Sequence, residues 1–303
     1  MFHDFTYPAV LAASARAAWQ LDDVIGVNDR LDFTRPFMPE ALARTARVAG
    51  LSDAERLLLN HIRGHEYLSI FGLVETFILP FVLDHARPHL SGDDHRVRAL
   101  LQFAGEEAKH IHLFKRFHDA FVAGFGIECS VIGPPEAVAA DVLAHDPLSV
   151  ALVILQIEWM TQGHYLDSIR DDTGIDPLFA SLLRHHWMEE SQHARLDTLM
   201  VQALVEGRDE ASIAQAIDSY LAIGGYLDDG LKAQTELNLA AFERAAGRSL
   251  DTEARTQFLA EQHQALRWTY LGSGMNHPRF RATLGAISTA AHDRIAAVAP
   301  LFS

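Results

Sequence analysis

The stretch His186-Trp187-Met188-Glu189-Glu190-Ser191-Gln192-His193 decides how the rest of the chain is read. On an α-helix, positions i, i+4 and i+7 share one face. His186, Glu190 and His193 then form a single stripe. Two imidazoles and a carboxylate on one stripe suit a borderline metal such as iron. Upstream, Glu106-Glu107-Ala108-Lys109-His110 repeats the core of the pattern, Glu-Glu-x-x-His. In a chain with 17 histidines and as many glutamates, about one Glu-x-x-His arises by chance. The context separates signal from chance. Glu75 lies 32 residues before Glu107, and Glu158 lies 32 residues before Glu190. At this Glu frequency, both coincidences together have odds of roughly a few in a thousand.

The chain therefore carries two copies of one unit: a helix with Glu, a turn, and a helix with Glu-x-x-His. Two such units make the ferritin-like di-metal bundle, in which two helices each give a Glu and two each give Glu-x-x-His. The expected ligands are Glu75, Glu107, His110, Glu158, Glu190 and His193. Four carboxylates neutralise two divalent cations, so the centre can be buried without net charge. His186 adds a third imidazole to the stripe, where the equivalent position of the second helix is Phe103. The expected centre is asymmetric, with seven protein ligands and one metal richer in nitrogen.

Glu75 and Glu158 are lone carboxylates in strongly apolar runs, Leu73–Leu79 and Ile154–Met160. Metal binding offsets the cost of burying them; the bland alternative is a solvent-facing Glu. Glu106 and Glu189 sit about 100° round the helix from the ligand carboxylates. Their expected role is to accept the far N–H of a ligand His from another helix and fix its tautomer, with a solvated Glu as the alternative. Asp197, one turn after His193, is a further candidate for that role. Phe71 and Phe103, one turn before Glu75 and Glu107, and Phe114 are either core or the wall of a dioxygen or substrate pocket. Thr161 and Gln162, one turn after Glu158, are candidate polar groups in that pocket, and Tyr165 a candidate channel residue or a packing Tyr. His61 and His65 are too many turns from Glu75 to bind the same metal pair.

Composition bounds the class. At 303 residues and 49% hydrophobic, the chain can bury a large core. A formal net charge of −15, without any Lys/Arg cluster, opposes binding to nucleic acid or anionic membrane. One cysteine, Cys129, rules out an internal disulfide or a four-cysteine iron site within one chain. Met1-Phe2-His3-Asp4 does not open a signal peptide, and no uncharged apolar run approaches membrane-spanning length. The expected compartment is the cytoplasm.

Along the chain, the pattern predicts one all-α domain. Residues 1–50 form a helical arm with pieces near 9–20 and 40–49. The bundle spans 52–207. Ser52-Asp53-Ala54-Glu55 is a capping box opening a helix over about 53–87, kinked or ended at Pro80. A second helix covers about 93–123. A crossover, 126–146, holds a short helix at 136–144. Asp146-Pro147 and Asp176-Pro177 each pair an N-cap with Pro at the first helical position, opening helices to about 170 and 207. Residues 208–303 are expected to form three further helices, broken at Gly224-Gly225, Gly247 and Gly272-Ser273-Gly274, that cover the site or form a dimer face.

With Glu75, Glu107-x-x-His110, Glu158 and His186-x-x-x-Glu190-x-x-His193 in place, the chain over about 52–207 resembles the p-aminobenzoate N-oxygenase family of non-haem di-iron arylamine oxygenases. The extra histidine, His186, carries the resemblance beyond the ferritin-like superfamily. The resemblance implies a di-iron cofactor (Fe2+/Fe3+) that reacts, reduced, with O2 and oxidises an aromatic amine to the hydroxylamine and onward to the nitro compound. Electrons come from a reductase or from the substrate intermediates. An O- and N-rich ligand set takes an Mn/Fe pair as well. Phe114, where a ribonucleotide-reductase radical subunit wants Tyr, and the single cysteine argue against other relatives. Another di-iron hydroxylase or desaturase, or a non-catalytic metal-binding bundle, stays open on the ligands alone.

Overall fold

A computed structural model describes residues 3–303. Met1 and Phe2, the first positions of the expected arm and of the N-terminus read as lacking a signal peptide, lie outside the described residues. Among these, the chain is helical throughout, with no strand.

The four bundle helices begin where local chemistry starts them. Ser52 Oγ accepts from the Glu55 amide while the Glu55 carboxylate accepts from the Ser52 amide at 2.8 Å, opening α4 (Asp53–Ala86). Asp93 caps α5 (Asp94–Phe125). Asp146 and Asp176 cap α7 (Pro147–His164) and α8 (Pro177–Val205), each with proline at the first helical position. Each cap contributes about 1 kcal/mol. α4 packs on α5 and α7 on α8, and α5 meets α8. Between the pairs runs the crossover, which holds α6 (Pro135–Leu143) against α4. This is the ferritin-like bundle.

α4 continues through Pro80 to Ala86 instead of ending there. The proline removes only the bond to the Thr76 carbonyl, and Phe77, Ile78, Phe81 and Val82 keep both flanks buried. α4 is also long and apolar enough to cross a membrane, but two thirds (67%) of its most apolar stretch is buried inside the bundle, as in the core helix of a helical domain.

The first helix of the arm and the first helix of the C-terminal region lie on opposite faces of the bundle, while the end of the arm meets the C-terminal region, where Ala43 and Arg44 accept from Gln262. α1 (Tyr7–Ala17) packs on α5 and α8. α2 (Leu21–Val24) follows, and the expected helix at 40–49 is the short α3 (Glu40–Ala43) plus one 3-10 turn. It stops because Arg44 adopts φ +48° and the Glu40 carboxylate turns back to bind Thr45 and Ala46. α9 (Glu210–Ala246) lies against α4 and α7. It runs unbroken through Gly224-Gly225; Gly224 is buried, where a side chain would reach Met275. α10 (Thr252–Arg267) continues through a π turn, Trp268–Gly272, into α11 (Ser273–Met275). The expected break at Gly272-Ser273-Gly274 is therefore a close approach. A Cβ on Gly274 would stand 2.7 Å from the Gln156 carbonyl of α7. The chain turns instead at His277, before α12 (Pro278–Ile287) and α13 (Thr289–Val298). The C-terminal region thus has four helical rods rather than three.

Candidate metal centre

At mid-length of the bundle, α4 contributes Glu75, α5 Glu107 and His110, α7 Glu158, and α8 His186, Glu190 and His193. All seven residues are at most 3% exposed. Their donor atoms form two overlapping groups, each within 4.8 Å: Glu75, His110, His186 and Glu190, and Glu107, His110, Glu190 and His193. His186 Nε2 stands 2.9 Å from Glu190 Oε1 and 3.5 Å from Glu75 Oε1. His193 Nδ1 stands 2.8 Å from Glu107 Oε1 and 3.3 Å from Glu190 Oε2. His110 Nδ1 is 3.0 Å from Glu190 Oε1. Glu158 is outside both groups but interacts electrostatically with Glu190.

The far sides of two imidazoles are tied in a crossed pattern. His110 Nε2, on α5, donates to Glu189 of α8 at 2.9 Å, and His193 Nε2, on α8, donates to Glu106 of α5 at 2.9 Å. This leaves Nδ1 of each facing the centre, the arrangement a metal-bound histidine needs. Glu106 is also bound by Gln102 and Ser14, and Glu189 by Lys109. Asp197 is fully buried, and neither of its oxygens is hydrogen-bonded; it anchors no imidazole.

Several facing atoms have no hydrogen-bond partner: both oxygens of Glu75 and Glu107, Glu158 Oε2, Glu190 Oε1, and Nδ1 of His110 and His193. Buried polar atoms left in this way are costly, so their convergence fits a metal pair. Titration behaviour agrees. Burial, reinforced by Glu107, holds Glu75 well above the usual carboxylate range, and burial with Glu190 does the same to Glu158. Burial opposes charge on His110, yet the carboxylates Glu189 and Glu190 raise it to about 9; Glu190 and Glu106 raise His193 well above normal. Burial works against Glu190 too, but His186 and His193 keep it well below normal. The raised groups favour protonation where a cation would otherwise supply the positive charge.

Aromatic rings close the centre. Phe71 and Phe114 stand edge-on to His186, with centroids 5.2 and 5.0 Å away. Phe103 stacks on His193 at 4.0 Å, and Trp19 from the arm stacks on His110 at 5.9 Å. Beyond Phe71 a cavity of about 220 Å³ opens between α4, α7, α9 and the crossover. Phe71, Val74, Ile157, Met160 and Tyr270 form its inner wall, and Ile132, Tyr226 and Asp229 lie at its mouth.

Of the expected pocket residues, Phe71 lines this cavity, and Phe103, Phe114, Thr161, Gln162 and Tyr165 do not. Phe103 lies against His193. Thr161 donates to the Ile157 carbonyl of its own helix, Gln162 reaches the Trp187 carbonyl, and Tyr165 stacks on Trp187. Met160 already faces the cavity, and positions 161 and 162 turn about 100° and 200° away from it. His61 and His65 pack among phenylalanines, apart from the centre. Ser14, Trp19 and the α9 wall had no sequence signal, because nothing in their spacing connects them to the bundle. Lys109 had one: a lone cation inside the Glu-Glu-x-x-His stretch.

The sequence profile of the family described as "P-aminobenzoate N-oxygenase AurF" matches residues 12–234. Among solved structures, a mutant of an R2-like ligand-binding oxidase with an aerobically reconstituted Mn/Fe cofactor superposes with a TM-score of 0.51 at 17% identity, covering 86% of this chain and 94% of that one. A second mutant of that oxidase, with an anaerobically reconstituted Mn/Fe cofactor, gives 0.48, also at 17% identity, covering 86% and 92%. No curated protein matches the sequence.

Proposed function

We propose, for a chain that belongs to the p-aminobenzoate N-oxygenase family, that it is a di-iron oxygenase converting an aromatic amine to its N-oxygenated product. The observation that carries this reading is the third imidazole. His186 joins Glu75, His110 and Glu190 in one group of donors, and its ring lies against Phe71, the wall between centre and cavity.

Glu75, Glu107, Glu158, Glu190, His110, His186 and His193 would hold the two metals. Two irons bound there supply the reduction of O2 and the delivery of one of its oxygen atoms. The protein's own residues do the rest. Glu106 and Glu189 orient His193 and His110. Phe71, Phe103 and Phe114 exclude water. The cavity brings the substrate to the His186 side.

In the first oxidation the amine, O2, two electrons and two protons give the hydroxylamine and water; the electrons come from a reductase or another two-electron donor. In the onward step the hydroxylamine and a second O2 give the nitro compound and water, with no further external electrons. A mixed Mn/Fe pair, the cofactor of the R2-like ligand-binding oxidase, suits the same donors. A reducing compartment such as the cytoplasm suits the electron supply and the lone thiol of Cys129.

The test is a turnover of the iron-loaded protein with an arylamine under labelled dioxygen, with a reductant present. Label in a hydroxylamine or nitro product supports the reading; label in a C–H hydroxylated product, or O2 consumption blind to amine, overturns it. His186→Ala should keep the helical fold, lose one metal, and lose N-oxygenation. Full activity in that variant removes the basis for this family-specific reading.

A further inference from the structure

We propose that the cavity beside the centre admits uncharged, largely apolar aromatic amines and rejects those bearing a carboxylate, so that the substrate differs in class from the p-aminobenzoate of the family's name; this rests on the oxygenase reading above. Position comes first. Val74 and Ile157 of the inner wall are the immediate chain neighbours of Glu75 and Glu158, and Phe71 touches both the cavity and the His186 ring. The mouth reaches solvent, with Tyr226 39% exposed and Asp229 exposed beside it. A ligand lying in the cavity therefore points one end at the centre and the other at the surface.

Charge then selects the ligand. Among the described residues, no lysine, arginine or histidine lines the cavity, and its one charged side chain is the carboxylate of Asp229. The buried cation on the same helix as Phe71, Arg63, is paired with Glu66, and Glu66 also accepts from the Tyr270 hydroxyl at 2.8 Å and from Asn238 at 3.2 Å. Tyr270 thus presents its ring to the cavity, while its hydroxyl proton is engaged elsewhere. A carboxylated ligand would lose water at the inner end without gaining a counter-ion, or meet Asp229 at the mouth. Either placement is unfavourable for an anion.

The cavity is also preformed and of the right size. Gln234 of α9 accepts from the Ile132 amide at 2.9 Å and donates to the Ser130 carbonyl and to Asn238. The crossover rim is thereby fixed to the polar cluster behind Tyr270. An apolar cavity of roughly 150 Å³ holds a benzene, so about 220 Å³ accommodates a substituted ring.

The test compares two ligands of nearly one shape, p-aminobenzoate and para-aminoacetophenone, whose methyl replaces the charged oxygen. Their binding to the iron-loaded, reduced protein, in which four carboxylates balance two Fe2+, is measured by calorimetry without O2. The ketone should bind on the order of a hundredfold more tightly. Leu227 of α9 also lines the cavity, and Leu227→Trp, which fills part of it, should weaken the ketone by about tenfold or more while leaving the melting temperature unchanged. Equal or tighter binding of p-aminobenzoate overturns the proposal, as does failure of both ligands to bind, or ketone binding indifferent to Leu227→Trp. The two readings separate in turnover. A ketone that binds selectively but is never N-oxygenated leaves the cavity's selectivity standing and removes the oxygenase reading. Efficient N-oxygenation of p-aminobenzoate does the reverse.

Discussion

His110 and His193 face the centre through Nδ1 because a carboxylate on the opposite helix holds each Nε2–H. The carboxylates are strongly engaged: burial pushes Glu106 upward, yet His193, Gln102 and Ser14 bring it down to about 2. Replacing Glu189 by Gln keeps an acceptor and removes the charge, so the imidazole becomes a weaker donor to the metal. Iron affinity, read by chelator competition, should fall about 10- to 100-fold with the helical spectrum intact; unchanged affinity would show that Glu189 has no part in the centre. A second residue-scale expectation concerns His65. Burial, with His118 alongside, pushes its pKa from 6.5 to about 4, and its Nε2 has no partner. The unfolded chain therefore binds a proton that the native one refuses as pH falls below 6.5. Stability contributed by the neutral ring is present above that pH and is lost progressively toward pH 4. His65→Phe should flatten this part of a denaturant-midpoint profile, and an unaltered slope between pH 6.5 and 4 would refute the assignment.

At the scale of elements, the crossing of α11 over α7 depends on the missing side chain at Gly274. A Cβ there would meet both the side chain and the carbonyl of Gln156, and Met160 at 3.3 Å. Gly274→Ala should destabilise by roughly 1–3 kcal/mol, measured by urea unfolding, although alanine favours helix more than glycine does. A stabilised Gly274→Ala protein would mean that helix propensity outweighs this contact. The same crossing explains why glycines that punctuate the sequence do not punctuate the helices. Gly274 is a site of close approach and Gly224 sits within a continuous helix, whereas Gly126 and Gly247, with φ of +74° and +66°, do end α5 and α9. In sequence the two kinds look alike.

For the whole molecule, the buried centre couples folding to metal. Burial and neighbouring carboxylates hold Glu75 and Glu158 well above the usual carboxylate range, and carboxylates raise His110 to about 9 and His193 well above normal, so all four favour the protonated form more than free side chains do. A bound metal competes with protons at these groups. Calorimetric titration with Fe2+ in buffers of different ionisation enthalpy should show net proton release, and the holoprotein should melt above the metal-free protein, by about 2.7 kcal/mol at a hundredfold excess over Kd. Buffer-independent heats would argue against this ligand set. The repeat that places Glu75, Glu107-x-x-His110, Glu158 and Glu190-x-x-His193 was legible from the sequence because helix geometry converts spacing into a shared face, and burial of lone carboxylates needs a partner. The helix starts were legible for a similar reason: caps are contacts within three or four residues. The arm's Ser14 and Trp19, the α9 wall, and the cavity with its absent cation were not, because they join segments far apart in the chain whose packing no local periodicity encodes. The sequence by itself determined the bundle and its metal-binding chemistry, since both follow from spacing along single helices; the tertiary structure alone decided which side of the centre is open and what charge the opening tolerates, since that depends on which distant helices cover the bundle.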